Sequence, residues 1–258
     1  MKSIVVIGSG NVATVFAKKL FARGFRIYQV WSRNIVKASI LATEVNALAT
    51  DKWGDIDEHQ NIYLIAVNDA GIEDVANNVR LKNKLVFHTA GSVASDILAC
   101  CSENYGVLYP LISVNKEVEL PSDFPVFITS SNKLSEDLLV ELAQNLSTKN
   151  QVISDENRFR IHLAAVFASN FSNHMFTLSN KILKDKNLEF EILKPLIFQS
   201  ILQLNKFLPS EVQTGPALRN DINTLQKHVE LLQSQPELLG LYLAISKNIQ
   251  DYHYKRLM

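Results

Sequence analysis

The sequence predicts an α/β protein with a doubly wound, mostly parallel sheet, followed by an all-α region. Three observations carry that prediction. Short apolar runs alternate with amphipathic stretches from residue 3 to residue 154. A glycine-rich turn follows the first of those runs and leads directly into a helical pattern. Beyond residue 154 no strand pattern recurs, and long helical stretches take over. Strands and helices alternating at this spacing imply βαβ units with right-handed crossovers.

The elements follow in order. "SIVVIG" (3–8) reads as a buried strand and "VATVFAKKLFARG" (12–24) as a helix that stops at Gly24. "RIYQVWSR" (26–33) and "IVKASILATEV" (35–45) form the next strand and helix. "ALAT" (47–50) is a short strand, "NIYLIAV" (61–67) a longer one, and "AGIEDVANNV" (70–79) a helix. "KLVFHTA" (84–90), the helix at 95–104 and "GVLYPL" (106–111) continue the pattern. Strands at 124–130 and 150–154 flank a helix over 135–146. Helices are expected over 155–185, 189–208, 221–234 and 236–253. The expected domains are therefore residues 1–154 and residues 155–258, and 258 residues suffice for two cores.

Composition narrows the function. Lys plus Arg (26) equals Asp plus Glu (26), so no basic excess drives nucleic-acid or anionic-membrane binding. No segment reaches the ~20 apolar residues of a membrane span, and "IVVIG" is too short for a signal peptide. A cytoplasmic protein is expected. Cys100 and Cys101 are adjacent, a spacing suited neither to a disulfide nor to a metal, so reduced thiols and no metal site are expected.

The glycine turn is the strongest local signal. Gly8, Ser9, Gly10, Asn11, Val12 and Ala13 lie directly between a strand and a helix, at the first βα turn. Gly8 allows a tight turn, Gly10 lets a pyrophosphate approach the backbone, and Ala13 lets the helix pack on the sheet. The helix N-terminus offers N–H groups and a positive dipole end to phosphates. This is the pattern of a Rossmann-type dinucleotide site. At the end of the second strand, Ser32 and Arg33 stand where an NAD enzyme carries a carboxylate. A hydroxyl and a guanidinium suit a 2′-phosphate, so NADP(H) is the expected cofactor. The alternative is a solvated surface arginine.

Ligands in open sheets sit at the carboxyl ends of the strands. Those ends deliver Val67, Asn68 and Asp69, then "HTAGS" (88–92), then Tyr109 and Pro110. His88 is the titratable candidate, and Ser92 or Ser95 could equally open the next helix. In the helical half, His162, Ser169, Asn170, Asn173, His174 and Thr177 form a stripe free of Lys and Glu. Such a stripe suits an enclosed cleft or interhelical hydrogen bonds. Gly215-Pro216 then breaks the chain before Arg219, Asn220 and Asp221. Arg219 could meet an anion, or Asp221 could simply cap the helix that follows.

Together "IGSGNVA", "QVWSR", "HTAGS", "YPL", "RIHLAAVFASNFSNH" and "QTGPALRND" resemble a bacterial family across nearly the whole chain. It is the family of Rossmann-type proteins whose C-terminal helical domain is catalogued as domain of unknown function 2520. That family is similar to pyrroline-5-carboxylate reductase and, more distantly, to the β-hydroxyacid dehydrogenases. The resemblance implies an NADP-binding domain, a homodimer through the helical domain, and a site drawing on His88, Asn170, Asn173, His174, Gln213, Thr214, Arg219 and Asp221. The chain departs from the family pattern at Gln199, Ser200 and Gln203, where the family has Glu-Thr and a Lys, and at Leu218-Arg219-Asn220-Asp221 in place of "RRGD". The lysine of the β-hydroxyacid dehydrogenases, four residues before an asparagine, is replaced by Val166, so their mechanism does not carry over.

The expected function is an NADPH-dependent reductase of a small, anionic imino or keto metabolite. His88 or His174 would donate the proton, Asn170 would orient the substrate and Arg219 would pair with its carboxylate. The rival expectation is a non-catalytic protein that senses NADP(H) or a metabolite.

Overall fold

The structure is a computed structural model that describes residues 2–118 and 121–254. It divides into two compact units, Met1–Asn170 and Phe171–Met258.

In the first unit the chain runs β1 (Ser3–Ile7), α1 (Asn11–Ala22), β2 (Arg26–Trp31), α2 (Ile35–Glu44), β3 (Leu48–Thr50), β4 (Ile62–Ile65) and α3 (Asp69–Asn78). It continues through β5 (Leu85–His88), β6 (Tyr105–Pro110), β7 (Val126–Ser130), α4 (Lys133–Leu146), β8 (Asn150–Val152) and α5 (Asp155–Ala165). The strands form one sheet in the order β3-β2-β1-β4-β5-β6-β7-β8. Every neighbouring pair is parallel except β6 and β7. From β1 the chain builds outward to β2 and β3 on one side and then returns to β4 on the other. That reversal creates the crevice in which open sheets bind ligands.

All five residues of β1 are buried, as a central parallel strand covered on both faces requires. Ile4 and Val6 join one core with Phe16, Leu20 and Leu139. Val5 and Ile7 join another with Tyr63, Ile65 and Val75. The alternation is the two-residue side-chain period of a strand.

One element of the first unit differs from the sequence expectation. The helix expected at 95–104 is a short 3₁₀ turn, Ser95–Leu98. Its first residue is held by another element instead of by a cap of its own: Asp155 accepts from Ser95 N at 3.0 Å and from Ser95 Oγ at 2.9 Å. The compact boundary falls at residue 170 instead of 154. The reason is Arg158, fully buried within the first unit, which fastens α5 there. The boundary lies in a π-helical stretch, Val166–Phe171.

The second unit contains α6 (Ser172–Lys184), α7 (Lys194–Gln203), α8 (Ile222–Leu232) and α9 (Pro236–Tyr254). The expected helix at 189–208 is a 3₁₀ turn, Phe190–Leu193, leading into α7, with Pro195 in the first turn where a missing N–H costs nothing. Gly215, at φ +106°, and Asn220, at φ +52°, shape the turn before α8. No helix among the described residues is long and apolar enough to cross a membrane.

Candidate functional site

The carboxyl ends of β1, β4, β5 and β6 open onto a cavity of about 1110 Å³ within the first unit. Its wall can be followed strand by strand.

At β1 the turn admits only glycine at one position. Gly8 has φ +132°, and a Cβ there would lie 2.2 Å from the Ala66 carbonyl oxygen. Its N–H donates to Trp31 O at 2.8 Å, which ties the turn to β2. Gly10 is different: its φ is −80°, and nothing lies within 4 Å of where a Cβ would stand. That space is the cavity. Helix α1 begins at once, with no side-chain cap, so its first-turn N–H groups have no capping oxygen. Asn11 and Val12 line the cavity at this point. Such an N-terminus attracts anions. Asn11 Nδ2 also donates to Val114 O at 3.0 Å, joining the turn to the loop after β6.

Beyond β2, Ser9 Oγ donates to Ser32 Oγ at 2.8 Å, and Asn34 N donates to the same oxygen at 3.3 Å. Arg33 is exposed at the rim and makes no ion pair among the described residues. Trp31 stacks on Trp53 with ring centroids 3.8 Å apart. At β4, Val67, Asn68 and Asp69 line the cavity, and Asp69 accepts from the Ser92 hydroxyl. Ser92 is thus tied to α3 instead of opening a helix. The ten cofactor candidates named from sequence all line this one cavity.

His88 does not. It is fully buried at the end of β5, and Thr89, Ala90 and Gly91 form the wall instead. Ala90 N donates to His88 Nδ1 at 3.2 Å, which leaves the ring proton on Nε2, 3.3 Å from Ala94 O. Burial, the largest influence, pushes its pKa down to about 4, and the nearby Arg158 charge acts in the same direction. His88 is a neutral brace for the loop after β5.

At β6, Tyr109 and His162 face the cavity together. Tyr109 Oη and His162 Nδ1 are 3.0 Å apart, and the rings meet edge to face at 5.7 Å. Gly91 makes room for them, because a Cβ there would lie 2.5 Å from His162 Nδ1 and 2.9 Å from Tyr109 Cε2. Burial raises the Tyr109 pKa, with Arg158 opposing. Asn170 completes this side of the lining.

Behind the wall sits Arg158. It pairs with Asp155 at 2.7 Å, donates to Thr129 Oγ1 at 3.0 Å and to Gly91 O at 3.4 Å, and also bonds Val93 O. Burial lowers its pKa while Asp155 opposes that shift. This clamp fixes residues 91–95 against α5. Sequence reasoning missed it, because its partners Gly91, Val93 and Thr129 lie far away along the chain. It also missed the pairing of Tyr109 with His162, although it had placed each at a strand end or on the polar stripe.

The remaining candidates lie in the second unit. Asp221 caps α8: Oδ1 accepts from Thr224 N at 3.1 Å, and Oδ2 accepts from Thr224 Oγ1 at 2.8 Å. These bonds hold its carboxyl below the usual range. Arg219, His174 and Asn173 are exposed, and Gln213 Nε2 donates to its neighbour's carbonyl, Thr214 O, at 2.9 Å. His228 Nδ1, on α8, and Tyr242 Oη are 2.8 Å apart. The two cysteines are free, and burial pushes the Cys101 thiol up to about 12.

Two family profiles match the chain. Residues 3–91 match "NADP oxidoreductase coenzyme F420-dependent", and residues 124–249 match domain of unknown function 2520. A Bacteroides fragilis protein assigned as an NADP oxidoreductase has 35% sequence identity and a TM-score of 0.90, over 97% of this chain and 98% of that one. An imine reductase from Myxococcus stipitatus, solved with NADP+, has 17% identity and a TM-score of 0.68, over 98% and 94% of the two chains. At that identity the likeness concerns the fold. A glutamyl-tRNA reductase from Methanococcus aeolicus is 32% identical over 84 residues, which is 32% of this chain and 21% of that enzyme's length.

Proposed function

The chain belongs to the family of the Bacteroides fragilis protein assigned as an NADP oxidoreductase, and on that premise we propose that it is an NADPH-dependent reductase of a small imino or keto metabolite. The observation that carries the reading is the continuous cavity wall from Arg33 to Tyr109, with the space beside Gly10 left open at an uncapped helix N-terminus.

The residues fit a dinucleotide. Backbone N–H groups at Gly10, Asn11 and Val12 would hold the pyrophosphate. Ser32 and Arg33 would hold the 2′-phosphate, the latter as a charged partner for a dianion. Val67, Asn68 and Asp69 would flank the nicotinamide half, and Asn170 would orient the substrate. Bound NADPH supplies a hydride to a C=N or C=O carbon. The protein supplies position and an environment that favours the charge developing on the heteroatom.

The pyrroline-5-carboxylate reductase likeness and an anionic substrate belong to this proposal, as does a cytoplasmic setting. So does a homodimer through the helical unit. In its support, Leu196, Phe198, Ile201 and Leu202 of α7 all remain more than half exposed, an apolar surface of the kind that a second copy covers. Light scattering at micromolar concentration tests the dimer.

The catalytic reading is tested by following NADPH absorbance with 1-pyrroline-2-carboxylate, 1-pyrroline-5-carboxylate, pyruvate and the uncharged 2-methyl-1-pyrroline. Turnover of an imino or keto acid above the uncharged imine is expected. Tight NADPH binding without oxidation by any of them would make the protein a sensor instead.

A further inference from the structure

We infer that Tyr109 is the proton donor of the reduction and that His162 recharges it. This assignment rests on the reductase reading above and replaces both histidines favoured by sequence.

Position comes first. Strands β2, β1, β4, β5 and β6 are consecutive in the sheet. Neighbouring strands lie ~4.8 Å apart, so the wall from Ser32 to Tyr109 covers four steps, about 19 Å. Phosphates at the β1 turn and a 2′-phosphate at Arg33 direct the other half of the dinucleotide toward β4 and β5. Tyr109 stands one strand further along, where a substrate has to lie. His88 is sealed behind the wall with both ring nitrogens occupied.

Chemistry comes second. The ionisable side chains lining the cavity among the described residues are Arg33, Asp69, Tyr109 and His162. Arg33 stands at the opposite end, and Asp69 already accepts from Ser92. Tyr109 and His162 alone form an acid with a second group 3.0 Å behind it. The charges acting on the phenol are Arg158 from α5 and Asp69 from α3, and burial keeps the phenol protonated. Histidine is the side chain that exchanges protons with water near neutral pH. The pair is also built: Gly91 is the residue that leaves space for His162, and Arg158 holds the Gly91 carbonyl.

The step balances. The substrate carbon gains the hydride, and the C=X π pair moves to the heteroatom X. X takes the proton from Tyr109 Oη, and Tyr109 takes the Nδ1 proton of a protonated His162. Neutral His162 then regains a proton from water.

Tyr109→Phe keeps the ring and removes only the hydroxyl. With a substrate identified in the panel above, kcat should fall by ~10²–10⁴-fold, while NADPH binding stays within about threefold. A solvent deuterium effect on kcat should be present in the wild type, and His162→Gln should flatten the pH profile of kcat. A purely structural role for His162 would leave that profile unchanged. A second readout needs no cofactor: the His162 imidazole, titrated by ¹⁵N NMR in the free protein, should shift its curve in Tyr109→Phe. Full kcat in Tyr109→Phe, or an unmoved His162 curve, overturns the pair and leaves the reductase reading intact. Absence of any turnover by the wild type overturns the reading on which the pair rests.

Discussion

Gly8 and Gly10 are two residues apart, yet replacing each with alanine should give opposite results. A Cβ on Gly8 would meet the Ala66 carbonyl oxygen at 2.2 Å, at a backbone φ of +132°. The obstacle is backbone in a central strand connection and cannot rotate away. The conformation costs about 1–3 kcal/mol, and displacing Ala66 a similar amount, on the order of 4 kcal/mol together. At ~2–4 °C per kcal/mol for a unit of this size, Tm should fall by about 8–16 °C. A Cβ on Gly10 meets nothing within 4 Å, and its φ of −80° suits any residue. Its cost is limited to the preference for glycine over alanine at an N-cap, ~1 kcal/mol or less. The new methyl instead occupies the space assigned to the pyrophosphate, so NADPH affinity should fall at least ~10-fold, or about 1.4 kcal/mol. Thermal unfolding and fluorescence titration separate the two effects. Of the two tryptophans of the chain, Trp31 lines the cavity and stacks on Trp53, so it reports binding there. If Gly10→Ala binds NADPH as tightly as the wild type, the cavity beside α1 is not the phosphate site.

Further outcomes follow from other residues. Arg33→Ala should weaken NADPH by about tenfold, the lower end for a charged hydrogen bond because the site is exposed, and leave NADH unchanged; paired titrations check both. Arg158→Met should cost ~3–5 kcal/mol in denaturant unfolding, since it leaves Asp155 without its buried partner. His88 makes stability depend on pH. Its pKa falls from 6.5 to about 4 on folding, so the unfolded chain binds the extra proton. Stability is complete above pH 6.5 and is lost as pH drops toward 4, by about 3 kcal/mol. His88→Gln should flatten that part of the stability curve, and an unchanged curve would show that His88 is not sealed.

Much of this was legible because it is local. Strand, glycine turn and helix lie within twenty residues, and the turn's chemistry is set by which positions lack a side chain. Ser32, Arg33, Val67, Asn68 and Asp69 could be placed because parallel strands deliver their ends to one edge of the sheet. What sequence could not reveal was the direction of a side chain at a strand's end. His88 sits at the right position and points into the protein, while Gly91 forms the wall. Pairings between distant segments were equally hidden: Tyr109 and His162 are 53 residues apart, and Arg158 reaches residues 91 and 93 in the loop after β5. Asp221 illustrates a sequence ambiguity resolved by geometry, since its carboxylate is bonded to Thr224 as a cap. The boundary at 154 followed the end of the strand pattern, whereas compactness follows Arg158 and extends to residue 170.

Calorimetric titration of the purified protein with NADPH and with NADH addresses the cofactor site most directly. One site per chain, at least ~10-fold tighter for NADPH and weakened by Gly10→Ala, is the expected result. No heat with either nucleotide, or tighter binding of NADH, would contradict it.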